Sequence, residues 1–224
     1  MKIGSRDIGR VFGPYVIAEI GVNHDGTVER ALELVDAAAR AGADAVKLQL
    51  FSAEMLMSKE ACLAAYQRAA GEADPFDMLR RLEMSVDQMS PIVAGAHEAG
   101  IHAIVSVFSV ELVGEAQRLP WDAYKTASPD IVNRPLLEAL AQTMKPLIVS
   151  TGTATLDEVE RAVRWVPSVF DRLALLQCVS SYPTPPDRAA LGGIAALAEV
   201  SPGPVGYSDH TSAVETGGLA VAAG

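Results

Sequence analysis

Hydrophobic and polar positions follow two rhythms along this chain. Short aliphatic runs with period-two alternation, bounded by Gly, Pro, Asn or Asp, predict strands over 16–21, 45–51, 101–108, 121–126, 145–150, 172–180 and 205–207. Between them apolar residues recur three and four apart, which predicts helices over 28–41, 86–99, 111–118, 134–142, 156–166 and 189–200, and an apolar Gly/Ala-rich helix from about Ala213. The longer segment from Ser52 to Ala99 adds polar helical pieces before its last helix. Asp25 or Thr27 can cap the first helix, and Ser85 with Gln88 three residues on reads as a capping box. Alternating strands and helices joined by short turns predict a parallel sheet, and this many units favours closure into a (β/α)8 TIM barrel. Only seven strands are legible, and Ala222-Ala223-Gly224 stand where a turn into an eighth should come. The expectation is therefore one TIM-barrel domain over 1–224, incomplete at its C-terminus and lacking the eighth strand and helix.

Side chains on a strand alternate between faces, and in such a barrel the last inward residues line the mouth at the C-terminal strand ends. On the second strand Val46, Leu48 and Leu50 share the face suited to packing on helices, which leaves Lys47 and Gln49 pointing the other way. The same phase turns Glu19 and Gly21 inward on the first strand, and Ser106 and Phe108 on the third. It places Lys125 on the fourth strand with Ser128 just beyond, and Ser150 on the fifth. Cys178, Ser180 and Tyr182 run along the sixth, and Ser208 and His210 along the seventh. A lysine facing such an interior is costly without an anion or a hydrogen-bonding partner. Snorkelling from an edge strand is the plain alternative.

Bulk properties narrow the classes. Half of the 224 residues are hydrophobic and only 5% aromatic, which suits one α/β domain with an aliphatic core. A net charge of −10 and no basic stretch argue against nucleic acid and anionic membranes. No apolar run approaches ~20 residues and no signal pattern opens the chain, so the expectation is a soluble cytoplasmic protein. Cys62 and Cys178 lack metal-type spacing and read as small buried hydrophobes. Lysine is scarce, at positions 2, 47, 59, 125 and 145, which singles out the two inside apolar strands.

Two lysines with Ser106, Ser128, Ser150 and Ser208 make a cationic, donor-rich lining suited to a phosphate beside a carboxylate. Glu19 would be the acid/base or water-orienting group facing it. His210 reads as a divalent-metal ligand, although one protein group does not hold a metal. Its plain alternative is a surface histidine, with Asp209 or Thr211 capping the next helix. His24, at the end of the first strand, could stand in as a second ligand.

Several stretches together resemble the sialic acid synthase (N-acetylneuraminate synthase) family. They are Ala18-Glu-Ile-Gly-Val-Asn-His24-Asp-Gly26, Ala41-Gly-Ala-Asp-Ala-Val-Lys47-Leu-Gln49, Tyr124-Lys125 with Ser128, Lys145-Pro-Leu-Ile-Val-Ser150-Thr-Gly152, Leu175 to Pro185, and Gly206-Tyr-Ser208-Asp-His210-Thr211. The resemblance implies a TIM barrel that joins phosphoenolpyruvate to the open-chain aldehyde of an N-acylated aminosugar, releasing phosphate and forming a nine-carbon 2-keto acid. It implies Lys47, Ser106, Lys125, Ser128, Ser150, Ser180 and Ser208 as the phosphoenolpyruvate pocket, and Gln49, Glu72 and Tyr182 at the sugar. Glu19 and Lys47 are the implied catalytic residues, with Glu19 in the acid/base role, and His210 is the implied ligand of Mn2+ or Mg2+. Gln177 stands where the family commonly has histidine, Ser180 where it often has asparagine, and Glu72 near a sugar-contacting asparagine. Glutamate at 72 opens the choice between N-acetylmannosamine and a related diacetamido hexose. The family's Glu-x-His on an eighth strand, with the second metal ligand, and its small C-terminal antifreeze-like domain have no counterpart in these 224 residues. A homo-oligomer, most simply a dimer, is expected because an open strand edge invites pairing. The rival reading is a non-catalytic anion-binding or partner protein of the same descent. A phosphosugar aldolase or isomerase would want a Schiff-base lysine or a Gly-rich phosphate loop, and neither pattern is found.

Overall fold

The structure is a computed structural model that describes residues 1–58 and 74–224. The chain divides into two compact units, one of residues 16–121 and one of residues 1–15 with 122–224. Glu72 and Cys62 lie outside the described residues.

The chain opens with an antiparallel hairpin, β1 (Lys2–Ile3) and β2 (Arg6–Asp7), that belongs to the second unit. Its Ile3 is buried, and the Lys2 ammonium lies 3.6 Å from Asp7. Two-residue strands are too short for a period-two signal, so nothing in the hydrophobic pattern predicts them.

In the unit 16–121, three parallel strands run in the order β3 (Ile17–Glu19), β4 (Ala45–Leu50) and β5 (His102–Val107). Helix α1 (Val28–Arg40) starts at Thr27, whose side chain accepts the Arg30 N–H, and it buries Ala31, Val35 and Ala38. Short α2 (Ala53–Leu56) and α3 (Pro75–Leu82) follow, and Asp74 caps α3 through the Phe76 and Asp77 N–H groups. Helix α4 (Val86–Glu98) opens on the Ser85–Gln88 capping box read from the sequence. Gly95 on α4 lets Leu32 of α1 approach, since a Cβ there would stand 2.8 Å from the leucine Cδ2. Helix α5 (Glu111–Ala116) closes the unit.

The first strand is shorter than its pattern predicts. After Glu19 both the Ile20 and Gly21 N–H groups converge on the Lys47 carbonyl, at 3.1 and 3.0 Å, and the chain turns away. Val22 and Asp25 then adopt left-handed backbone conformations, at φ 59 and 51°.

In the other unit four parallel strands run in the order β6 (Ala123–Thr126), β7 (Leu147–Ser150), β8 (Leu173–Cys178) and β9 (Val205–Ser208). Helices α6 (Arg134–Gln142), α7 (Leu156–Trp165), α8 (Gly193–Val200) and α9 (Thr216–Ala222) lie between or after them. Strand β7 begins at Leu147 rather than Lys145, because Pro146 has no N–H to give the ladder; its carbonyl accepts the Tyr124 N–H at 2.9 Å. Strand β8 ends at Cys178, two residues early, and the Tyr182–Pro183 bond beyond it is cis. Helix α8 begins at Gly193, four residues late, after a 3-10 turn over Pro186–Arg188. Among the described residues no helix is long and apolar enough to cross a membrane.

Candidate active site

Each unit gathers polar side chains at the C-terminal ends of its own strands. In the unit 16–121, the register sets Glu19 beside Lys47 and Lys47 beside Ile104. The long Lys47 side chain leans along the strand direction to reach the serine two residues further on, and its Nζ lies 3.1 Å from Ser106 Oγ. The same ammonium pairs with Glu19 Oε2, while Glu19 Oε1 accepts the Gly21 N–H at 2.8 Å. Lys47 is 5% exposed, whereas the Glu19 side chain keeps 45% of its surface open, so the carboxylate bridges a buried cation and the surface. Gly21 is required by proximity, since a Cβ there would fall 2.5 Å from Gln49 Cγ and 2.6 Å from Glu19 Oε1. Gln49 therefore flanks the carboxylate, as its strand phase predicts.

The second unit also sets a buried lysine against a strand-end hydroxyl. Lys125 registers with Ile148, and its Nζ reaches Ser150 Oγ at 2.7 Å and the Thr126 carbonyl at 3.3 Å. Ser128 Oγ accepts the Gly152 N–H at 3.0 Å. A Cβ on Gly152 would lie 2.5 Å from Ser180 Oγ, 2.8 Å from Ser128 Oγ and 3.2 Å from Cys178 Sγ, so this glycine is the floor on which three side chains meet. Ser180 Oγ is buried and has no partner of its own. Ser208 stands opposite Cys178 in the β8–β9 register but joins none of these hydrogen bonds. Tyr182 lies with its ring centroid 4.2 Å from that of His210, and half of its surface is open.

His210 is held rather than free. A carbonyl only accepts, so the 3.0 Å contact between His210 Nδ1 and the Val179 oxygen places the proton on Nδ1; Cys178 Sγ lies 3.7 Å from the same nitrogen. The Cys178 contact raises the imidazole pKa above its ordinary value, against burial and with help from Val179. Burial alone would push the Cys178 thiol up, but hydrogen bonds with His210 and Ser128 and the nearby Lys125 charge outweigh it and lower the thiol pKa. Asp209 does not cap a helix: its Oδ1 accepts the Thr211 N–H at 2.8 Å and closes a local turn before α9.

The tautomer leaves His210 Nε2 with a lone pair, the usual preparation of a metal ligand. One ligand does not hold a divalent ion, and among the described residues no group of three His, Cys, Asp or Glu side chains comes together. His24 does not supply a second ligand, because its Nδ1 accepts the Gly26 N–H at 3.0 Å and its ring is 1% exposed. The described residues thus do not fit a metal site, and no step below depends on one.

A depression of about 590 Å³ opens at the opposite, N-terminal ends of β6, β7 and β8, lined by Lys2, Asp7, Asp122, Lys145, Asp171 and Arg172. Charges of both signs line it, with Arg172 tied to Asp171 and to the Met144 carbonyl, and none of the serine clusters reaches it.

Sequence phase alone found both lysines and most of the serines. It missed the parts played by Gly152 and the Gly21 N–H, which are visible only as backbone approaching side chains, although each stands two residues past a strand end. It also passed over Cys178 as packing.

Strand order, helix placement and polar strand ends define an α/β chain of the TIM-barrel type, short of the last unit of a full barrel. Residues 34–224 match the NeuB family, and the chain belongs to it. It is 37% identical over 217 residues to the N,N'-diacetyllegionaminic acid synthase of Legionella pneumophila, covering 94% of this chain and 61% of that protein. It is 34% identical over 213 residues to the spore coat polysaccharide biosynthesis protein SpsE of Bacillus subtilis, covering 94% of this chain and 57% of that protein. Among solved structures, the N-acetylneuraminic acid (sialic acid) synthetase of Leptospira borgpetersenii, in complex with citrate, is similar at a TM-score of 0.89 and 31% identity, over all of this chain and 74% of that one. The chain thus spans about six-tenths of the length of these two curated relatives.

Proposed function

We propose that this chain carries the condensation of phosphoenolpyruvate with the aldehyde of an N-acylated aminosugar, giving a nonulosonic acid and phosphate. The observation that carries the reading is the Glu19 carboxylate held between the Gly21 N–H and the buried Lys47 ammonium, which is itself bonded to Ser106. A carboxylate anchored on one oxygen and paired on the other is set to orient a water or move a proton without drifting.

In this mechanism Lys125, Ser150 and Ser128 are donors for an anionic group of phosphoenolpyruvate, with the buried Ser180 hydroxyl adding a donor that has no protein partner to give up. The family pattern also assigns Lys47, Ser106 and Ser208 to phosphoenolpyruvate, and Glu19 pairs with Lys47. The enol carbon forms a bond to the aldehyde carbon, and the aldehyde oxygen takes a proton. The resulting cation at C2 accepts water, whose proton passes to a base, for which Glu19 is the candidate. As the C2 hydroxyl of the tetrahedral adduct gives up its proton, to the departing phosphate or to water, the C2–O bond to phosphate breaks, which expels phosphate and leaves the 2-keto acid. Gln49 and the half-open Tyr182 ring contact the sugar.

The names of the relatives support a diacetamido hexose as readily as N-acetylmannosamine, and the glutamate at position 72 keeps both in view. Strand β9 pairs only with β8 among the described strands, which supports self-association as part of the same reading; light scattering measures it. The deciding assay follows phosphate release from phosphoenolpyruvate with Mn2+ and each candidate sugar, with the acid product identified by mass. No release with any N-acylated hexose would overturn the catalytic reading in favour of an anion-binding protein.

A further inference from the structure

We infer that His24 is a positioning residue whose buried ring holds the turn after β3 in the one shape that presents the Gly21 N–H to Glu19. The consequence for catalysis rests on the role of Glu19 proposed above; the structural part does not.

The turn from Ile20 to Thr27 is costly as built. Val22 and Asp25 sit at φ 59 and 51°, a region that side chains with a Cβ adopt only at a cost, and valine is branched as well. Gly26 has φ 77°, and a Cβ on it would stand 2.2 Å from the Arg81 carbonyl oxygen. His24 Nε2 is buried with no partner at all. Such a turn persists only if something fixes it from within.

His24 has the contacts to do so. Its ring is 1% exposed, and Nδ1 accepts the Gly26 N–H at 3.0 Å, so the proton lies on Nε2. Its carbonyl accepts the Thr27 N–H at 2.9 Å and the Thr27 hydroxyl at 3.2 Å, which ties the turn to the cap of α1. On the other side, the Asn23 N–H reaches the Ile20 carbonyl at 3.1 Å and Asn23 Nδ2 the Glu19 carbonyl at 3.3 Å. Between these anchors Gly21 is left pointing its N–H at Glu19 Oε1, 2.8 Å away. Burial holds the ring pKa below its ordinary value, against the pull of Asp25 and Glu19, and so keeps Nδ1 unprotonated and able to accept. An acceptor at this position is what the turn needs, and volume alone does not supply it.

The test compares the full chain with His24→Gln, which retains an acceptor and a donor, and His24→Leu, which retains bulk and neither. Nitrogen-15 NMR of the wild type should find the Nε2–H tautomer. In the leucine variant the Gly21 and Gly26 amides should exchange at least about 10-fold faster while Val46 and Leu48 are unchanged, and glutamine should restore the slow exchange. In the condensation assay leucine should lower kcat by about 10- to 100-fold with KM for phosphoenolpyruvate changed less than about 3-fold, and glutamine should recover most of it. Faster Gly21 exchange in the leucine variant, when the wild-type chain itself releases no phosphate, supports the positioning and removes only the catalytic reading. An Nδ1–H tautomer, or Gly21 exchange indifferent to leucine, overturns the inference. If leucine prevents folding, a glutamine variant with an unprotected Gly21 amide overturns it equally.

Discussion

Lys125 reaches past its register partner Ile148 to place Nζ 2.7 Å from Ser150 Oγ, the residue two positions further along the neighbouring strand. Lys47 does the same across β4 and β5, passing Ile104 for Ser106. Each unit thus delivers a buried ammonium towards its strand ends with a hydroxyl to hold it. Glu19 pairs with the cation of the first, and the Ser150 hydroxyl and the Thr126 carbonyl accept from that of the second.

The Lys125 ammonium is buried against the Ser150 hydroxyl and the Thr126 carbonyl, and taking a charge out of water costs stability. Lys125→Met should lower calorimetric affinity for phosphoenolpyruvate by about 30-fold or more, with a smaller effect on stability in urea denaturation. Loss of stability with intact affinity would assign the lysine to the scaffold.

Glu19→Gln keeps the acceptor for the Gly21 N–H but strands the Lys47 cation. With Glu19 half open to solvent the loss should be modest, about 1 kcal/mol, and adding Lys47→Met should restore it. Simple additivity in the double-mutant cycle would show that the two charges do not sense one another. Activity should be absent in all three variants.

Gly152→Ala places a methyl group among Ser128, Ser180 and Cys178 at distances of 2.5 to 3.2 Å. Those groups must shift, at a cost of about 1–3 kcal/mol in denaturation and with loss of anion binding. The companion substitution Gly114→Ala meets nothing within 4 Å and should be tolerated.

The burial of His24 makes stability depend on pH in a defined direction. Its folded pKa lies below the ordinary 6.5, so on acidification the unfolded chain takes up the proton first. Stability is unaffected well above 6.5, falls as pH drops below it by at most about 1.4 kcal/mol per unit, and levels once the folded ring also protonates. Denaturation midpoints of wild type and His24→Gln compared between pH 8 and about 5 should diverge in that window. A constant difference would mean that the ring titrates alike in both states.

The lysines and serines were legible because a cation among aliphatic neighbours betrays strand phase, as in Ala45-Val-Lys47-Leu-Gln49-Leu50. Which serine answers which lysine was not, because partners 59 and 25 residues apart are chosen by register between strands, and register leaves no mark on spacing. His24 looked like a ligand at a strand mouth; its burial depends on a turn built from two left-handed residues that no periodicity announces. Strand ends were overrun at Ile20 and Val179 for a common reason: a backbone group there leaves the ladder for another partner, the Lys47 carbonyl in one case and His210 in the other.

The opening hairpin carries a consequence for how the protein is made. Residues 1–15 pack with 122–224, yet they leave the ribosome first and wait while 16–121 are synthesised. The intervening unit has its own strands and helices and can organise vectorially, whereas its neighbour cannot close until more than a hundred further residues have emerged. During that interval Ile3, buried in the finished protein, is exposed, and its Lys2 and Asp7 neighbours keep the waiting segment hydrated.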